Sequence, residues 1–454
     1  MKLPGHRLVC LGLALLLPAF SVLAAPREAV RPNFVVILSD DHRPDALGVL
    51  NRQLRTPNLD RLVNAGVLFR GAHIAGSDSG AVCIPSRAMF LSGRSFFRVG
   101  HDLTGAETWP EALRRSGYQT FATGKWHNGA EACGRVFPGA RSIFLGGMSD
   151  QFRVKVQDFD ATGRPGPARE EARNATELFT DTALEMLRAR DTKRPFALYV
   201  ALTSPHDPRT APPEYHARYD PAWMTVPGNF LPEHPFDNGE LAVRDEKLVP
   251  APRTRAAVQH EIADYYAMIT HLDTQVGRLL DELNTTGLAE RTVVIFAGDN
   301  GLALGSHGLL GKQNLYQHSV GVPLIIAGAA FQGVRAVDAL CYLHDIAPTI
   351  CGLAGVPAPA GIEGRSLVRL LEGRGRRHRD ELYFAYRDVQ RGWRDERWKI
   401  IHYPVIGRTQ LFDLKEDPSE VNDLAEDPRE AGRVAQLLKK LSAAGRASGD
   451  ALTW

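Results

Sequence analysis

The residues best suited to take part in a reaction lie together in the segment Cys83-Ile84-Pro85-Ser86-Arg87. A cysteine thiol is a candidate nucleophile, and the permanently charged guanidinium of Arg87 forms a fork that can hold an anionic oxygen. The alternative is a structural role, because a free cysteine in a Pro-Ser turn is commonly a buried apolar group. The function of Cys83 therefore depends on what the rest of the chain can place beside it.

Two oxygen-rich pairs lie far apart in the sequence, at Asp40-Asp41 and at Asp299-Asn300. Either pair alone could be a turn or a strand end, since Asp, Asn and Gly favour such positions. Together, and without a histidine partner, these oxygens suit Ca²⁺ or Mg²⁺ better than Zn²⁺. We expect a calcium site, with magnesium as the second choice, whose protein ligands are Asp40, Asp41, Cys83, Asp299 and Asn300.

Apolar runs that are typical of strands buried on both faces precede most of the polar motifs. These runs span residues 33–38, 118–123, 196–202 and 292–297, and a further core strand is predicted over 323–327. Helical spacing of apolar residues occurs between them, over 57–65, 109–115, 172–190 and 256–283. The alternation predicts an α/β fold with a large, mostly parallel sheet sandwiched by helices, whose polar residues gather at the carboxyl ends of the strands.

The C-terminal part of the chain has a different pattern. Short strand-like pieces at 382–386, 398–403 and 410–414 precede a helix over about 430–443, which predicts a small antiparallel sheet with one helix. The basic run 374–379 is interpreted as a solvated linker rather than a nucleic-acid patch. We therefore expect an α/β domain over residues 30–375 and a small α+β subdomain over residues 376–454.

Two long segments, 129–166 and 205–252, lack clean periodicity. Irregular segments of this length in a compact protein are commonly functional, so we expect them to wall the pocket around the catalytic residues.

Residues 1–25 have the pattern of a secretory signal peptide, with a basic start, an apolar run over 8–17 and a small-residue exit. The apolar run is shorter than the ~20 residues of a membrane span, so we expect a periplasmic or secreted protein without a membrane span. The net charge of +2 provides no general attraction for nucleic acid.

In combination, the motifs resemble those of the type I sulfatases in the alkaline-phosphatase superfamily. The resemblance extends from Pro32 into the C-terminal part, where Leu411-Phe412-Asp413-Leu414 and Asp417-Pro418 also look like family sequence. It implies that Cys83 is oxidised to formylglycine by a formylglycine-generating or radical maturase enzyme. It also implies calcium binding by the oxygen-rich pairs and a catalytic set that comprises Cys83, Arg87, Lys125, His127, His206 and Lys312.

The implied activity is hydrolysis of a sulfate monoester, and we expect a sulfated carbohydrate as substrate. A serine or cysteine nucleophile would leave a sulfated enzyme that water cleaves slowly. In an aldehyde hydrate, one hydroxyl attacks sulfur and the other then expels sulfate as the C=O bond re-forms. Calcium, Lys125 and Lys312 would stabilise the developing negative charge. We assign His206, with Lys312, to the leaving group and His127 to the elimination step, and the reverse assignment of the histidines stays open.

Modification of Cys83 would leave an odd number of cysteines after the signal peptide, namely Cys133, Cys341 and Cys351. At most one disulfide could form among them, and Cys341 and Cys351 are the closer pair in sequence.

Other polar residues are candidates for substrate contact, with His307 and His318 alternatively supporting the Lys312 loop. These candidates are His101, Asp102, Trp109, His307, His318, Arg387 and His402.

Two other functions are compatible with the same motifs. One is a phosphonate or phosphate ester hydrolase of the same superfamily. The other is a calcium-dependent carbohydrate-binding protein in which Cys83 stays unmodified.

Overall fold

The computed structural model describes Met1, Gly5 and residues 31–331 and 336–452. The chain forms two compact units, Met1–Val30 and Arg31–Trp454. The predicted signal peptide lies outside the described residues apart from Met1 and Gly5. In chain order, the strands are β1 Asn33–Ser39, β2 Gly66–Phe69, β3 Ala72–His73, β4 Gly76–Ser77, β5 Gln119–Lys125, β6 Ile143–Phe144, β7 Val154–Val156, β8 Arg169–Glu171, β9 Phe196–Ala201, β10 Thr292–Gly298, β11 Leu324–Ala327, β12 Ala336–Val337, β13 Cys341–Tyr342, β14 Leu382–Tyr386, β15 Gln390–Arg394, β16 Trp398–Tyr403 and β17 Arg408–Asp413. The α-helices are α1 Pro57–Asn64, α2 Cys83–Ser92, α3 Trp109–Arg115, α4 Ala130–Val136, α5 Ala175–Ala189, α6 Pro213–His216, α7 Arg255–Thr285, α8 Gln317–Val320, α9 Ile346–Ala354, α10 Val368–Leu371 and α11 Ala431–Ser448.

The burial of β1 explains its continuous apolar sequence. Phe34, Val36 and Leu38 pack into one hydrophobic core, whereas Val35 and Ile37 pack into a second core. Successive side chains of a strand point to opposite faces of the sheet. Because both faces of the sheet are covered, every residue of this strand is buried.

The large sheet contains eight described strands in the order β12-β2-β11-β10-β1-β9-β5-β6. The strands from β10 to β6 in this order all run parallel, and β12 is parallel to β2. Only β11, among the described strands of this sheet, is antiparallel to its neighbours, β10 and β2. The predicted mostly parallel α/β sheet is thereby confirmed.

Helices cover both faces of this sheet. Leu59 of α1, Leu178 of α5 and Leu272 of α7 belong to the core that receives Val35. Residues of α2, α3 and α9 belong to the other core. The helices therefore enclose the sheet as the sequence predicts.

The C-terminal sheet has the order β17-β16-β15-β14-β4. Strands β14 to β17 pair antiparallel, while β4, from far upstream, pairs parallel with β14. Helix α11 packs on this sheet through the buried residues Leu437 and Leu441. The predicted small antiparallel sheet with one helix is confirmed, and the domain boundary near residue 375 stays a prediction.

The structure corrects several element predictions. The segment 129–166 is not wholly irregular, because it contains α4, β6 and β7. Helix α2 was not predicted from the sequence. It begins at Cys83 and ends before Gly93, a residue in the left-handed region at φ 69°. A glycine there is a common helix terminator, because it adopts this conformation without a Cβ penalty.

The described part of the chain holds no helix that combines the length and the apolar character needed to cross a membrane.

Candidate active site

The candidate site lies where four adjacent parallel strands, β10, β1, β9 and β5, end. Ser39 of β1 is opposite Gly298 of β10, so Asp40 and Asp299 follow at neighbouring positions. Leu38 is opposite Ala201 of β9, which places the segment leading to His206 at the same edge. The carboxyl ends of parallel strands are where open α/β sheets commonly bind ligands.

Three buried carboxylates form the centre of the site. Oxygens of Asp40 and Asp299 and the sulfur of Cys83 all lie within 4.8 Å of one another, as do ligand atoms of Asp40, Asp41 and His206. The backbone N–H of Asp41 donates to Oδ1 of Asp299 at 3.1 Å. The predicted metal ligands from both halves of the chain therefore come together.

Each carboxylate has a cationic side chain within hydrogen-bond distance. Nζ of Lys125 lies 2.5 Å from Oδ2 of Asp40. Nζ of Lys312 lies 2.5 Å from Oδ1 of Asp41, while Nε of Arg87 lies 2.9 Å from Oδ2 of Asp299. All six side chains are almost fully buried, so unpaired charge here would be costly.

The electrostatic environment differs among these acids. Burial and the nearby Asp40 raise the pKa of Asp299 to about 6. Burial also acts to raise the pKa of Asp41, but Lys312 and His206 outweigh it and hold that pKa well below its ordinary value. Closely packed carboxylates favour protonation of one member unless further positive charge is supplied.

Two buried acceptor oxygens are consistent with a bound cation. Within the described residues, Oδ1 of Asp40 and Oδ1 of Asn300 are buried and have no hydrogen-bond partner. The side-chain amide of Asn300 donates to Oδ1 of Asp41 at 2.8 Å, which orients its oxygen. Because unsatisfied buried acceptors are rare, and because hard divalent ions prefer oxygen ligands, the residues present fit such an ion.

One feature differs from the predicted site. The sequence predicts oxygen ligands without a histidine partner, yet Nε2 of His206 lies 3.6 Å from Oδ2 of Asp41. The imidazole is held by the backbone carbonyl of Asp207, 2.7 Å from Nδ1. His206 thus borders the carboxylate cluster directly.

Cys83 occupies the N-terminus of α2, where the backbone dipoles favour negative charge. Its sulfur lies 3.2 Å from Nδ1 of His127 and 3.5 Å from Nζ of Lys125. Burial nevertheless raises the pKa of the thiol, although Lys125 opposes this effect. Since the thiolate is the nucleophilic form, the unmodified side chain is poorly suited to attack.

The pKa of each candidate proton-transfer group is lowered. Burial and the charge of Lys125 lower the pKa of His127 to about 2. Burial lowers the pKa of His206 to about 4, although Asp41 opposes this effect. His127 and Asp41 have positive φ values of 67° and 61°, which non-glycine residues adopt at an energetic cost and often at functional sites.

A cavity of about 400 Å³ opens at Cys83. Both long segments of the sequence contribute to its walls, as predicted: Met148 comes from the first, and Arg244 from the second. The lining residues are Gly80, Ala81, Cys83, His127, Gly147, Met148, His206, Val243, Arg244, Asp245, Lys312 and Gln313.

Arg244 connects the cavity wall to a catalytic candidate. Its guanidinium pairs with both carboxylate oxygens of Asp207, the residue after His206, and with Oδ1 of Asp245 at 2.8 Å. Sequence reasoning missed Arg244 because its segment has neither periodicity nor a recognisable motif. Asp207 could have been noted as the neighbour of His206.

The other predicted contact residues lie elsewhere. Trp109 is buried in the core against Phe90 and Phe137, so its proposed substrate contact is wrong. His307 stacks on Tyr316, and its Nδ1 is 3.3 Å from Nε2 of His318, which is consistent with a supporting role.

The remaining candidates do not line the cavity at Cys83. His101 pairs with Asp78, and Asp102 accepts hydrogen bonds from Thr104. Arg387 pairs with Glu240, and His402 lies on β16 next to Thr409.

The four cysteines within the described residues do not pair. Cys83, Cys133, Cys341 and Cys351 are all free and buried, so the Cys341–Cys351 disulfide is absent. Cys341 lies on β13 and Cys351 within α9.

Comparisons with known proteins show which family the chain belongs to. The sulfatase family model matches residues 32–356, and a model described as N-sulphoglucosamine sulphohydrolase, C-terminal, matches residues 305–447. An N-acetylglucosamine-6-O-sulfatase from Bacteroides thetaiotaomicron is 27% identical over 491 residues, with 91% of this chain and 86% of the relative covered. The multifunctional alkaline phosphatase superfamily protein PehA from Trinickia caryophylli is 29% identical over 503 residues, which cover 90% of this chain and 94% of the relative.

A solved structure of BT4656 in complex with its substrate, D-glucosamine-2-N,6-O-disulfate, superposes with a TM-score of 0.78 at 25% identity. The superposition covers 93% of this chain and 99% of that one. The match of the family model over most of the chain leaves no support for a purely sugar-binding function. The chain belongs to the sulfatase family, in its type I branch within the alkaline-phosphatase superfamily, and is a sulfuric ester hydrolase.

Proposed function

We propose that this enzyme is an exported sulfatase that hydrolyses a sulfate ester of a carbohydrate, using calcium and a formylglycine formed from Cys83. The observation that carries the proposal is the position of Cys83, whose sulfur lies among carboxylate oxygens of Asp40 and Asp299 and beside His127. A side chain at this place can meet an anionic substrate held at the cation site.

Asp40, Asp41, Asp299 and Asn300 would hold the ion, which would supply positive charge for the sulfate oxygens, while the aldehyde hydrate would supply the nucleophilic hydroxyl. Lys125 and Lys312 add fixed ammonium groups within the same buried space. Such preorganised charge stabilises a transition state more effectively than water can.

Arg87 has a supporting position. It pairs with Asp299 and donates from Nη1 to the backbone carbonyl of Lys125 at 2.8 Å. Nη2 is buried, has no hydrogen-bond partner among the described residues, and lies 4.0 Å from Oδ1 of Asp40. Arg87 therefore fixes the strand ends that carry an acid and a lysine, and it keeps one donor available for an anionic oxygen or a hydroxyl of the modified residue.

The two histidines can divide the proton transfers between them. His127 contacts Cys83 directly, so it is placed to take a proton from the residue at this position. His206 lines the cavity together with Lys312, so its protonated form is placed to donate a proton to the oxygen of the departing alcohol. These positions favour the assignment made from the sequence.

The carbohydrate substrate is supported by the relatives and by the cavity. One relative is named for a sulfated amino sugar, and BT4656 was solved with a disulfated glucosamine. The lining of the cavity includes the ion pair of Arg244 and Asp245 and the amide of Gln313. Such polar groups can form hydrogen bonds with sugar hydroxyls.

The periplasmic or secreted location is supported by the signal-like sequence of residues 1–25. Fractionation of the native host, with detection of the mature N-terminus by mass spectrometry, tests it. Recovery of the uncleaved chain in the cytoplasm alone would contradict export.

The central experiment combines peptide mass with a substrate screen. Conversion to formylglycine lowers the mass of the Cys83 peptide by roughly 18 Da, and the mature enzyme should release sulfate from at least one sulfated mono- or oligosaccharide. Cys83→Ala and Cys83→Ser are the blanks. Full activity in a preparation that retains the thiol at Cys83 would refute the proposal.

The similarity to PehA keeps hydrolysis of phosphate or phosphonate esters as a second candidate activity. Rates on matched aryl sulfate and aryl phosphate esters distinguish the two. We expect the sulfate ester to be hydrolysed faster, and a preference for the phosphate ester would assign the second activity as the principal one.

A further inference from the structure

The backbone of Asp41 is held by a buried tyrosine outside the sequence motifs. Asp41 has φ 61°, and its carbonyl accepts a hydrogen bond of 2.7 Å from the hydroxyl of Tyr265. The same hydroxyl oxygen accepts a hydrogen bond of 2.9 Å from the backbone N–H of Arg43. Tyr265 lies on α7 and is completely buried.

These two hydrogen bonds restrict the chain on both sides of His42. A tyrosine hydroxyl has one proton to donate and accepts through its oxygen, so Tyr265 satisfies a carbonyl and an amide at once. A left-handed conformation at a non-glycine residue persists only when its surroundings enforce it. The tyrosine supplies that enforcement at Asp41.

The side chain of Arg43 extends the link to the other half of the candidate metal site. Its Nη1 donates to the carbonyls of Leu302 and Ala303 at 2.9 and 2.6 Å. These residues follow closely after Asp299-Asn300. Through Arg43, the hydroxyl of Tyr265 is therefore connected to both segments that carry the oxygen ligands.

We propose that Tyr265, acting with Arg43, is a positioning residue that sets the backbone of Asp41 and the spacing of the two ligand-bearing segments for calcium binding. This inference rests on the proposed calcium site. Tyr265 touches the backbone rather than the carboxylate, so it acts through Asp41. Groups that orient metal ligands commonly change metal affinity by about 10- to 100-fold when they are removed.

The adjacent tyrosine on α7 provides a matched control. The hydroxyl of Tyr266 accepts a hydrogen bond of 2.6 Å from the side-chain amide of Asn51, and Tyr266 is also buried. Tyr266→Phe therefore removes a hydroxyl of the same kind from the same helix, and among the described residues this hydroxyl makes no hydrogen bond with Asp41 or Arg43.

The test is calcium titration by calorimetry on mature, chelator-treated protein. We expect Tyr265→Phe to weaken calcium binding by about tenfold or more, and Tyr266→Phe to bind as the wild type does. Activity of Tyr265→Phe should recover towards the wild-type kcat at saturating calcium, because the carboxylate itself is intact. Circular dichroism in the presence of chelator verifies that each variant is folded.

Arg43→Met is a second variant, which removes the guanidinium that donates to the carbonyls of Leu302 and Ala303. Like Tyr265→Phe, it should bind calcium more weakly than the wild type does. Calcium affinity equal to that of the wild type in both Tyr265→Phe and Arg43→Met, or an equal loss in Tyr266→Phe, would overturn the positioning role. Failure of the wild-type protein itself to bind calcium is a different result, which would refute the metal site of the proposed function and with it this inference.

Discussion

The sulfur of Cys83 and Nδ1 of His127 lie 3.2 Å apart, although 43 residues separate them in the sequence. The thiol begins α2, and the imidazole follows β5. This contact makes His127 the nearest candidate base for whatever group Cys83 becomes.

Replacement of His127 by Gln should lower kcat by about 10²- to 10⁴-fold, because a positioned proton-transfer group contributes about this much. Steady-state kinetics on a sulfated sugar measure the effect. His101→Gln is the control, since His101 pairs with Asp78 at the surface and should leave kcat unchanged. Equal kcat in the wild type and the His127 variant would exclude the role.

The role of His206 predicts a dependence on the departing alcohol. A proton donor matters most when the leaving oxygen is strongly basic, so His206→Gln should lose far more activity on an alkyl or sugar sulfate than on a nitrophenyl sulfate. The His127 variant should lose similar activity on both. The opposite pattern in the two variants would exchange the assignments of the histidines.

Arg244→Gln removes the charged hydrogen bonds from the guanidinium to Asp207. Hydrogen bonds to a charged group are commonly worth about 1.5–3 kcal/mol, so kcat/KM should fall by about tenfold or more. The change leaves Asp207, the neighbour of His206, without its cationic partner. Kinetics with a sulfated sugar and with sulfate as a product inhibitor separate effects on the sugar from effects on the anion. Arg377→Gln, which alters an exposed ion pair, should behave as the wild type does.

Stability should fall in mild acid because of buried histidines away from the site. Burial lowers the pKa of His234 and of His344 to about 4, below the ordinary value of about 6.5. Between these values the unfolded chain binds protons that the folded chain does not, so the free energy of unfolding decreases as pH falls from about 6.5 to 4. Urea denaturation at several pH values measures this slope.

His344→Phe should reduce that slope, because it removes one titrating group from a position where the ring stacks on Tyr342. An unchanged slope in this variant would show that the titration of His344 does not differ between the folded and the unfolded chain.

Much of the site could be predicted from the sequence because of its strands. The apolar run over residues 33–38 has too few polar residues for a half-exposed strand. It therefore predicts a buried strand, with Asp40 just beyond its carboxyl end. The same reasoning applies to Asp299. Their proximity then follows from parallel pairing at matched register.

Other parts of the site could not be predicted in this way. Arg244 and Tyr265 reach the site through tertiary contacts, and neither the periodicity of α7 nor the irregular segment around Arg244 indicates a partner. Trp109 was misassigned because a tryptophan after a capping threonine is equally compatible with a core position, which the structure shows it has. The helical start at Cys83 was missed because Pro85 suggests a turn, although proline is tolerated in the first turn of a helix.

Strand β4 ends at Ser77, six residues before Cys83, and its pairing partner is β14, more than 300 residues downstream. Strand β14 therefore fixes the segment that precedes Cys83, although no residue of β14 lines the cavity. A chain shortened before β14 would leave Gly76 and Ser77 unpaired, so this truncation should impair catalysis at Cys83.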